Sequence, residues 1–344
     1  MNIEIKILPN TVYYANDRCL PRWMIILVVI NRSSRILLLD KLKICIRGNS
    51  DRHNTTLSGG KLKQCLLDGD LTLKPKEFVV LPIFDDGKPT KPSALNLKLL
   101  FAGRNGFSAS VSKNIKLSVR PTIWLDFPLT GRWTTGNGRE VPHSLGTQFG
   151  FDFITAPDME AQENPPQKQM QLNDFSSFGK PIFAPCSGLI LSCSNNQYDY
   201  KRFFKPTIGS KKVSLNKLVG NYVFIKKVDN QFILLAHMQK GSLNVRTGDY
   251  IEAGTYLGNV GNSGNTTGPH LHMEVIDEEL DFSQKTAGIG SLGSPSGLPF
   301  GFENATQFCN NSKSALTRCI PRKLDQLIGK PQEFLDWYIG KKRG

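Results

Sequence analysis

The sequence predicts a mainly β protein, and three observations support this class. Apolar runs of strand length recur at short spacing and are broken by Gly, Asn, Asp and Pro, which is typical of antiparallel sheets. Glycine and proline are frequent, with 31 and 20 residues in a chain of 344, and they favour turns over long helices. Hydrophobic residues make up 39% and charged residues 21%, so packed cores are expected and a disordered chain is not.

Residues 1–120 are predicted to form a β-sandwich accessory domain. Ile3, Ile5 and Ile7 alternate with polar residues, as in a strand with one buried face. Further strand-length apolar runs lie at 24–30, 36–39, 42–46, 71–73, 78–82, 95–101 and 115–119. The pair Arg120-Pro121 marks the expected end of this domain.

Residues 121–285 are predicted to form a second β domain. Two strands are expected at 181–185 and 189–192, and a hairpin is expected at 221–237 across Asp229-Asn230. Polar stretches without periodicity predict surface insertions at 158–178 and 194–215.

The remaining residues, 286–344, are predicted to form a linker and a C-terminal tail. Residues 286–302 are rich in Gly, Ser and Pro, which favours a flexible connection. Residues 314–338 are expected to hold two short helices separated by Pro331, followed by a basic end.

The charge of the chain is strongly positive, with 43 Lys and Arg against 29 Asp and Glu and a formal net charge of +14. A basic surface attracts anionic polymers, among them nucleic acids, membrane surfaces and acidic cell-wall glycans. No nucleic-acid-binding motif accompanies the dispersed Lys and Arg residues, so nucleic acid is not an expected partner. The longest apolar run, at 23–30, is too short for a transmembrane segment, and the N-terminus lacks the apolar core of a signal peptide.

The segment at 258–275, GNVGNSGNTTGPHLHMEV, is the most informative part of the sequence. Alternate side chains of a strand share a face, so His270 and His272 are expected to face one cavity, and Glu274 continues that face. The small, polar run before the histidines indicates that a ligand comes close, which makes Asn262 and Thr267 candidate substrate-binding residues.

Three further residues complete a candidate metal site. His237 ends an apolar strand, and His143 and Asp152 lie at the front of the same domain. Asp152 stands between two phenylalanines, and a carboxylate there is costly to bury unless it is paired, hydrogen-bonded or metal-bound. Two histidines, one aspartate and an open fourth position suit a catalytic zinc ion.

Residues 140–276 resemble the lysostaphin-type zinc metallopeptidases, which cut peptide bonds in peptidoglycan. The resemblance rests on matching motifs that occur in the family's order: GFDF around Asp152, GKPIFAP at 179–185, GNYV at 220–223, AHM at 236–238 and GNSGNTTGPHLH at 261–272. It implies an antiparallel-sheet metallopeptidase domain and a Zn²⁺ cofactor.

The resemblance also implies roles for individual residues. Asp152 and His272 match two zinc ligands, while His270 and His237 match the two histidines that assist catalysis. His270 is expected to be the general base and His237 the transition-state stabiliser, although the two roles can be exchanged. The family's third ligand stands four residues before the aspartate, where this chain has Gln148, and His143 is the expected substitute.

The sequence therefore favours a zinc metalloendopeptidase acting on peptidoglycan peptides. A peptidoglycan substrate would place it in the periplasm or at the cell surface, but the sequence itself does not establish the localisation. The alternative is a non-catalytic, peptidoglycan-binding or regulatory member of the same fold, which the change to Gln148 favours. His53, in the predicted loop 51–54, is expected to be a surface residue outside the site. The sequence does not set the oligomeric state.

Overall fold

The computed structural model describes most of the chain. The described residues are 2–8, 12–15, 24–48, 52–66, 68–84, 92–102, 108–135, 149–163, 170–201, 213–283, 285–286, 296–303, 305–309, 312–314, 318–319 and 326–328. They divide into two units, one built on Met1–Pro121 and the other on Thr122–His143, Phe149–Ser291 and Gly297–Gly344. Among the described residues, no helix combines the length and the hydrophobicity that crossing a membrane requires.

The described residues of the first unit form ten strands and one short helix. The strands are β1 (Ile3–Leu8), β2 (Val12–Ala15), β3 (Met24–Asn31), β4 (Leu37–Gly48), β5 (Arg52–Ser58), β6 (Asp68–Gly69), β7 (Thr72–Leu73), β8 (Phe78–Phe84), β9 (Pro92–Ala102) and β10 (Ser108–Arg120), and the helix is α1 (Gly59–Gln64). One sheet has the order β1-β3-β8-β6, and the other has the order β2-β10-β9-β4-β5 with β7 paired to β4.

The two sheets of the first unit share one hydrophobic core. Strand β9 shows why: Leu95, Leu97 and Leu99 are fully buried, while Lys98 between them is exposed. These residues belong to the same buried cluster as Leu27 of β3 in the other sheet. Two sheets whose alternate residues face one core have the arrangement of a sandwich. The mainly β class predicted for the chain is confirmed.

Two expectations for the first unit differ from the structure. The runs predicted at 36–39 and 42–46 belong to one long strand, β4, which carries a register shift between Leu39 and Lys41. Polar residues at this bulge divide one strand into two apolar runs in the sequence. His53 lies in strand β5, opposite Ile46, and not in a loop.

In the second unit, the part of the chain that the structure describes forms the remaining seventeen strands and two short helices. Its strands are β11 (Ile123–Asp126), β12 (Arg132–Thr135), β13 (Phe151–Ile154), β14 (Pro181–Phe183), β15 (Gly188–Ser194), β16 (Val213–Ser214), β17 (Asn221–Lys226), β18 (Phe232–Met238), β19 (Tyr250–Ile251), β20 (Tyr256–Asn259), β21 (Leu271–Ile276), β22 (Lys285–Thr286), β23 (Phe300–Glu303), β24 (Thr306–Cys309), β25 (Ser312–Ser314), β26 (Arg318–Cys319) and β27 (Gln326–Ile328). The helices are α2 (Ala156–Glu163) and α3 (Leu215–Val219), and a 3₁₀ turn covers Leu172–Asp174.

A ten-stranded sheet dominates the second unit, in the order β19-β15-β17-β18-β21-β13-β12-β27-β24-β25. Strands β17 and β18 form the predicted antiparallel hairpin, with Asn230 in the left-handed region of its turn. Strands β18, β21 and β13 lie side by side at its centre. The segments that carry the histidine motif and Asp152 are therefore neighbours in the sheet.

A cluster of aromatic rings packs beside strand β13. Phe151 and Phe153 contact Phe300 and Phe302 of strand β23, with ring centroids 5.0 Å apart for Phe151–Phe300 and 5.6 Å for Phe153–Phe302. Strand β23 pairs in parallel with β11, and Phe300 and Phe302 are fully buried. Residues 297–303 thus pack within the second unit, in contrast to the flexible connection that their composition favours. Residues 287–295 of that segment lie outside the described residues.

The described part of the C-terminal tail consists of strands, so the prediction of helices there is wrong. Strand β27 pairs with β12, where Leu327 lies opposite Trp133, and strand β26 pairs with β23. Leu327 is fully buried. Pairing with distant strands sets the conformation of this segment, and local helix propensity cannot report such contacts. Residues 329–344 lie outside the described residues.

Candidate active site

The sheet brings Asp152 and His272 together directly. They are opposite each other in the antiparallel pairing of β13 with β21, and paired residues point to the same face. Because Phe151 and Phe153 point to the other face, into the aromatic cluster, Asp152 must point away from it. The aromatic side chains beside Asp152 therefore help to hold its carboxylate in the site.

Asp152 and His272 form the central contact of the site. Nδ1 of His272 lies 2.9 Å from Oδ1 of Asp152, and both side chains are buried. On the opposite edge of the imidazole, Nε2 of His272 lies 3.3 Å from Oε2 of Glu274. The ring is thus held between two carboxylates.

His270 lies on the same face, two residues before His272. Its Nδ1 is 2.8 Å from the carbonyl oxygen of Gly268, a contact in which Nδ1–H donates. Its Nε2 is directed to Asp152, 3.6 Å from Oδ1. That tautomer leaves a lone pair on Nε2 beside the Asp152 carboxylate.

His237 reaches this face through a β-bulge in strand β18. Ala236 is paired with His272, so strict alternation would place His237 on the opposite face of the sheet. The register between β17 and β18 shifts at this point, and His237 has a φ of +62°, in the left-handed region. Its ring consequently lies 4.7 Å from the ring of His270, measured between centroids. Bulges commonly re-aim side chains in this way next to active sites.

A buried hydrogen-bond network holds this bulge. The Nδ1–H of His237 donates to the carbonyl oxygen of Ser263 at 2.8 Å. The Ser263 hydroxyl and the Asn221 side-chain amide both donate to the Met238 carbonyl, at 2.7 and 3.1 Å. The backbone N–H of Asn221 in turn donates to the Ser263 hydroxyl at 2.9 Å. These contacts offset the cost of a left-handed non-glycine residue, which is about 1–2 kcal/mol.

The electrostatic surroundings shift the pKa values of His237 and His272 in opposite directions. Burial, and then the charges of His270 and His272, hold the pKa of His237 well below its usual range, so this ring is neutral at neutral pH. Burial alone would also lower the pKa of His272. The hydrogen bonds and charges of Asp152 and Glu274 outweigh burial and raise that pKa to about 10.

The donors that the structure brings together suit a zinc ion. An imidazole nitrogen and a carboxylate oxygen are common zinc ligands, and here Nδ1 of His272 and Oδ1 of Asp152 face each other in a buried site. Among the described residues, no group of three or more His, Cys, Asp and Glu side chains has the geometry of a metal site. The predicted third ligand, His143, and its alternative, Gln148, both lie outside the described residues.

The two predicted substrate-binding residues have different surroundings. Asn262 is fully buried, its amide donates to the Tyr200 carbonyl at 2.8 Å, and its backbone N–H donates to Asp199. Thr267 is exposed. Contact of either residue with a substrate stays a prediction, and the observed contacts of Asn262 hold the loop that precedes the histidines.

The sequence alone predicts no role for two residues that support the site, Glu274 and Ser263. It places Glu274 on the same strand face as the histidines, and it does not distinguish Ser263 from its neighbours. The continued alternation after His272 was a usable signal for Glu274. No local signal identified Ser263, because its contacts with His237 and Met238 depend on a loop that returns to the end of strand β18.

Part of this chain is similar in sequence to known peptidases. The model of Peptidase family M23 matches residues 172–283, a segment that contains His237, His270 and His272. The chain is 24% identical over 173 residues to peptidoglycan DD-endopeptidase ShyC of Vibrio cholerae, a match that covers 49% of this chain and 35% of ShyC. It is 28% identical over 98 residues to peptidoglycan DD-endopeptidase ShyA of the same organism, covering 28% of this chain and 18% of ShyA.

The matched part of the chain thus spans about a third of the length of ShyC and less than a fifth of ShyA. Among solved structures, the catalytic domain of lysostaphin from Staphylococcus simulans is 22% identical, covering 46% of this chain and 92% of that domain with a TM-score of 0.27. A zinc-containing peptidase from Vibrio cholerae is 14% identical, covering 77% of this chain and 56% of that protein with a TM-score of 0.28.

Proposed function

Since this chain carries a lysostaphin-type domain of peptidase family M23, we propose that it is a zinc-dependent endopeptidase that hydrolyses peptide bonds in peptidoglycan. The observation that carries the proposal is the buried contact between His272 and Asp152, with His270 and His237 beside it. The two curated relatives act on peptidoglycan according to their names, which supports the same substrate class here. The net charge of +14 suits an anionic cell wall.

Asp152 and His272 would hold the zinc ion, and His143 is the proposed third ligand. Zinc supplies Lewis acidity, which polarises a scissile carbonyl and acidifies a water molecule. The protein's own part is to keep the ligands on one buried face. The pairing of β13 with β21 does this before any metal arrives, because it places the two side chains opposite each other.

We assign the role of general base to His270. Its Nδ1–H is held by the Gly268 carbonyl, so its Nε2 is the atom that can take a proton from water. That nitrogen lies 3.6 Å from Asp152 Oδ1, close to where the water would be acidified.

We assign His237 to stabilising the negative charge on the scissile carbonyl oxygen. Because Ser263 holds its Nδ1–H, this role requires a second proton on Nε2. The lowered pKa of His237 opposes that form in the free protein, so the second proton has to come from solvent as negative charge develops on the substrate. Both His237 and His270 carry their proton on Nδ1, so the tautomer does not distinguish them and their two roles stay exchangeable.

Digestion of purified peptidoglycan tests the proposed function. The full chain loaded with one equivalent of zinc is expected to convert cross-linked muropeptides into uncross-linked ones, measured by chromatography and mass spectrometry. Chelation should stop the reaction and stoichiometric zinc should restore it. Zinc-loaded, folded protein that leaves the cross-links intact would contradict the proposal. If that protein still sedimented with peptidoglycan, the non-catalytic alternative would be supported instead.

The third ligand can be identified by comparing two variants. His143→Ala is expected to weaken zinc binding by more than about 100-fold, because losing a direct ligand exceeds the 10–100-fold cost of losing a group that supports ligands. Gln148→Ala is expected to change the affinity less than about 3-fold. Competition with a chromophoric chelator measures both values. A larger loss of zinc affinity in Gln148→Ala than in His143→Ala would identify Gln148 as the third ligand.

A further inference from the structure

Glu274 is a buried carboxylate that the proposed reaction does not use. It lies in strand β21, two residues after His272, and only 1% of its surface is exposed. Every residue of this strand is buried, so the carboxylate does not reach solvent. A buried carboxylate costs several kcal/mol unless a partner compensates it.

The partner in the structure is His272. Oε2 of Glu274 lies 3.3 Å from Nε2 of the ring, a contact in which Nε2–H donates. Among the described residues this is the only hydrogen bond of the Glu274 side chain, and its ion pair is with the same nitrogen. The carboxylate is therefore matched specifically to one edge of one imidazole.

With Nε2 at Glu274, the ring nitrogen that faces Asp152 is Nδ1. The two nitrogens of an imidazole point in different directions, and a proton fixed on Nε2 leaves the lone pair of a neutral ring on Nδ1. Nδ1 is the nitrogen that lies 2.9 Å from Asp152. Glu274 is on the opposite edge of the ring, so it cannot join Asp152 at the same ion.

We propose that Glu274 is a positioning residue for the metal site, which holds the His272 ring so that Nδ1 is presented to the ion. The inference rests on the proposed function, because it requires that Asp152 and His272 share a metal. Carboxylates that hold the outer nitrogen of a ligating histidine orient the ring and make it a better donor. The buried side chain thereby acquires a chemical role in addition to its packing.

Zinc affinity tests the proposal without reference to activity. Glu274→Leu removes both the acceptor and the charge and is expected to weaken zinc binding by about 10–100-fold. Glu274→Gln keeps an acceptor for Nε2–H and is expected to lose less than about 10-fold. Glu252→Gln, an exposed glutamate in the same unit, is the matched control and should bind zinc as the unmodified chain does. Circular dichroism of each metal-free variant reports folding.

The tautomer gives a second readout that does not depend on the variants. In the zinc-loaded, unmodified chain, ¹⁵N NMR of the His272 ring is expected to show the proton on Nε2. A proton on Nδ1 would overturn the proposal even if Glu274→Leu failed to fold. Folded Glu274→Leu with zinc affinity within twofold of the unmodified chain would overturn it as well. An unmodified chain that binds no zinc would instead refute the proposed function, and this inference with it.

Discussion

Substituting His272 with alanine is expected to abolish zinc binding and to lower peptidoglycan hydrolysis by at least about 1000-fold, equivalent to about 4 kcal/mol of transition-state stabilisation. The substitution removes the nitrogen that faces Asp152, leaving at most two protein ligands of the proposed three. It also leaves the Asp152 and Glu274 carboxylates without the ring between them, which is expected to cost about 3 kcal/mol or more of folding stability. Metal content and initial rates must therefore be measured well below the melting temperature.

The matched control is His53→Ala, in strand β5 of the first unit, which should retain both zinc and activity. Retention of full activity by folded, metal-free His272→Ala protein would contradict the proposed chemistry. A pH series adds an independent check. The two carboxylates raise the pKa of His272 to about 10, so a metal must displace a proton from that ring. Zinc affinity is therefore expected to rise as the pH is raised towards that value.

Substituting Gly264 with alanine is expected to lower the free energy of unfolding by about 3 kcal/mol or more. Gly264 has a φ of +80°, a region that costs a residue with a side chain about 1–2 kcal/mol. A β-carbon at this position would also lie 2.4 Å from the backbone nitrogen of Gly220, where neither backbone can yield easily. Urea denaturation followed by circular dichroism measures the loss.

Gly131 provides a matched control for this experiment. Its φ is +81°, almost the same as that of Gly264, but a β-carbon there meets no atom within 4 Å. Gly131→Ala should therefore cost only the backbone term, about 1–2 kcal/mol. Equal losses of unfolding free energy in the two variants would show that contact between the added β-carbon and Gly220 does not add to the cost of the substitution.

Part of the site could be predicted because strand geometry is local. The two-residue spacing of His270 and His272 placed both on one face, and the phenylalanines on either side of Asp152 indicated a carboxylate that is paired, hydrogen-bonded or metal-bound. Both expectations agree with the structure. Neither required knowledge of which strands pair, since side-chain alternation follows from the backbone alone.

The position of His237, the C-terminal strands and the packing of residues 297–303 depend on contacts between segments that are distant in the sequence, so local patterns did not predict them. One register shift decides the face on which His237 lies, and no residue type in strand β18 predicts that shift. The strands at 318–319 and 326–328 form by pairing with β23 and β12, which the helix-like local pattern concealed. Residues 296–303 resemble a linker in composition, yet Phe300 and Phe302 contact the phenylalanines on both sides of Asp152.

The bulge at His237 bears on how degenerate relatives of this domain should be recognised. A relative in which β17 and β18 paired without this register shift, with Ala236 still opposite His272, would keep Asp152, His270 and His272 in place. The histidine that follows Ala236 would then alternate to the far side of the sheet, although an alignment would show it as present. The pairing of β17 with β18 therefore tests catalytic competence more strictly than the presence of a histidine.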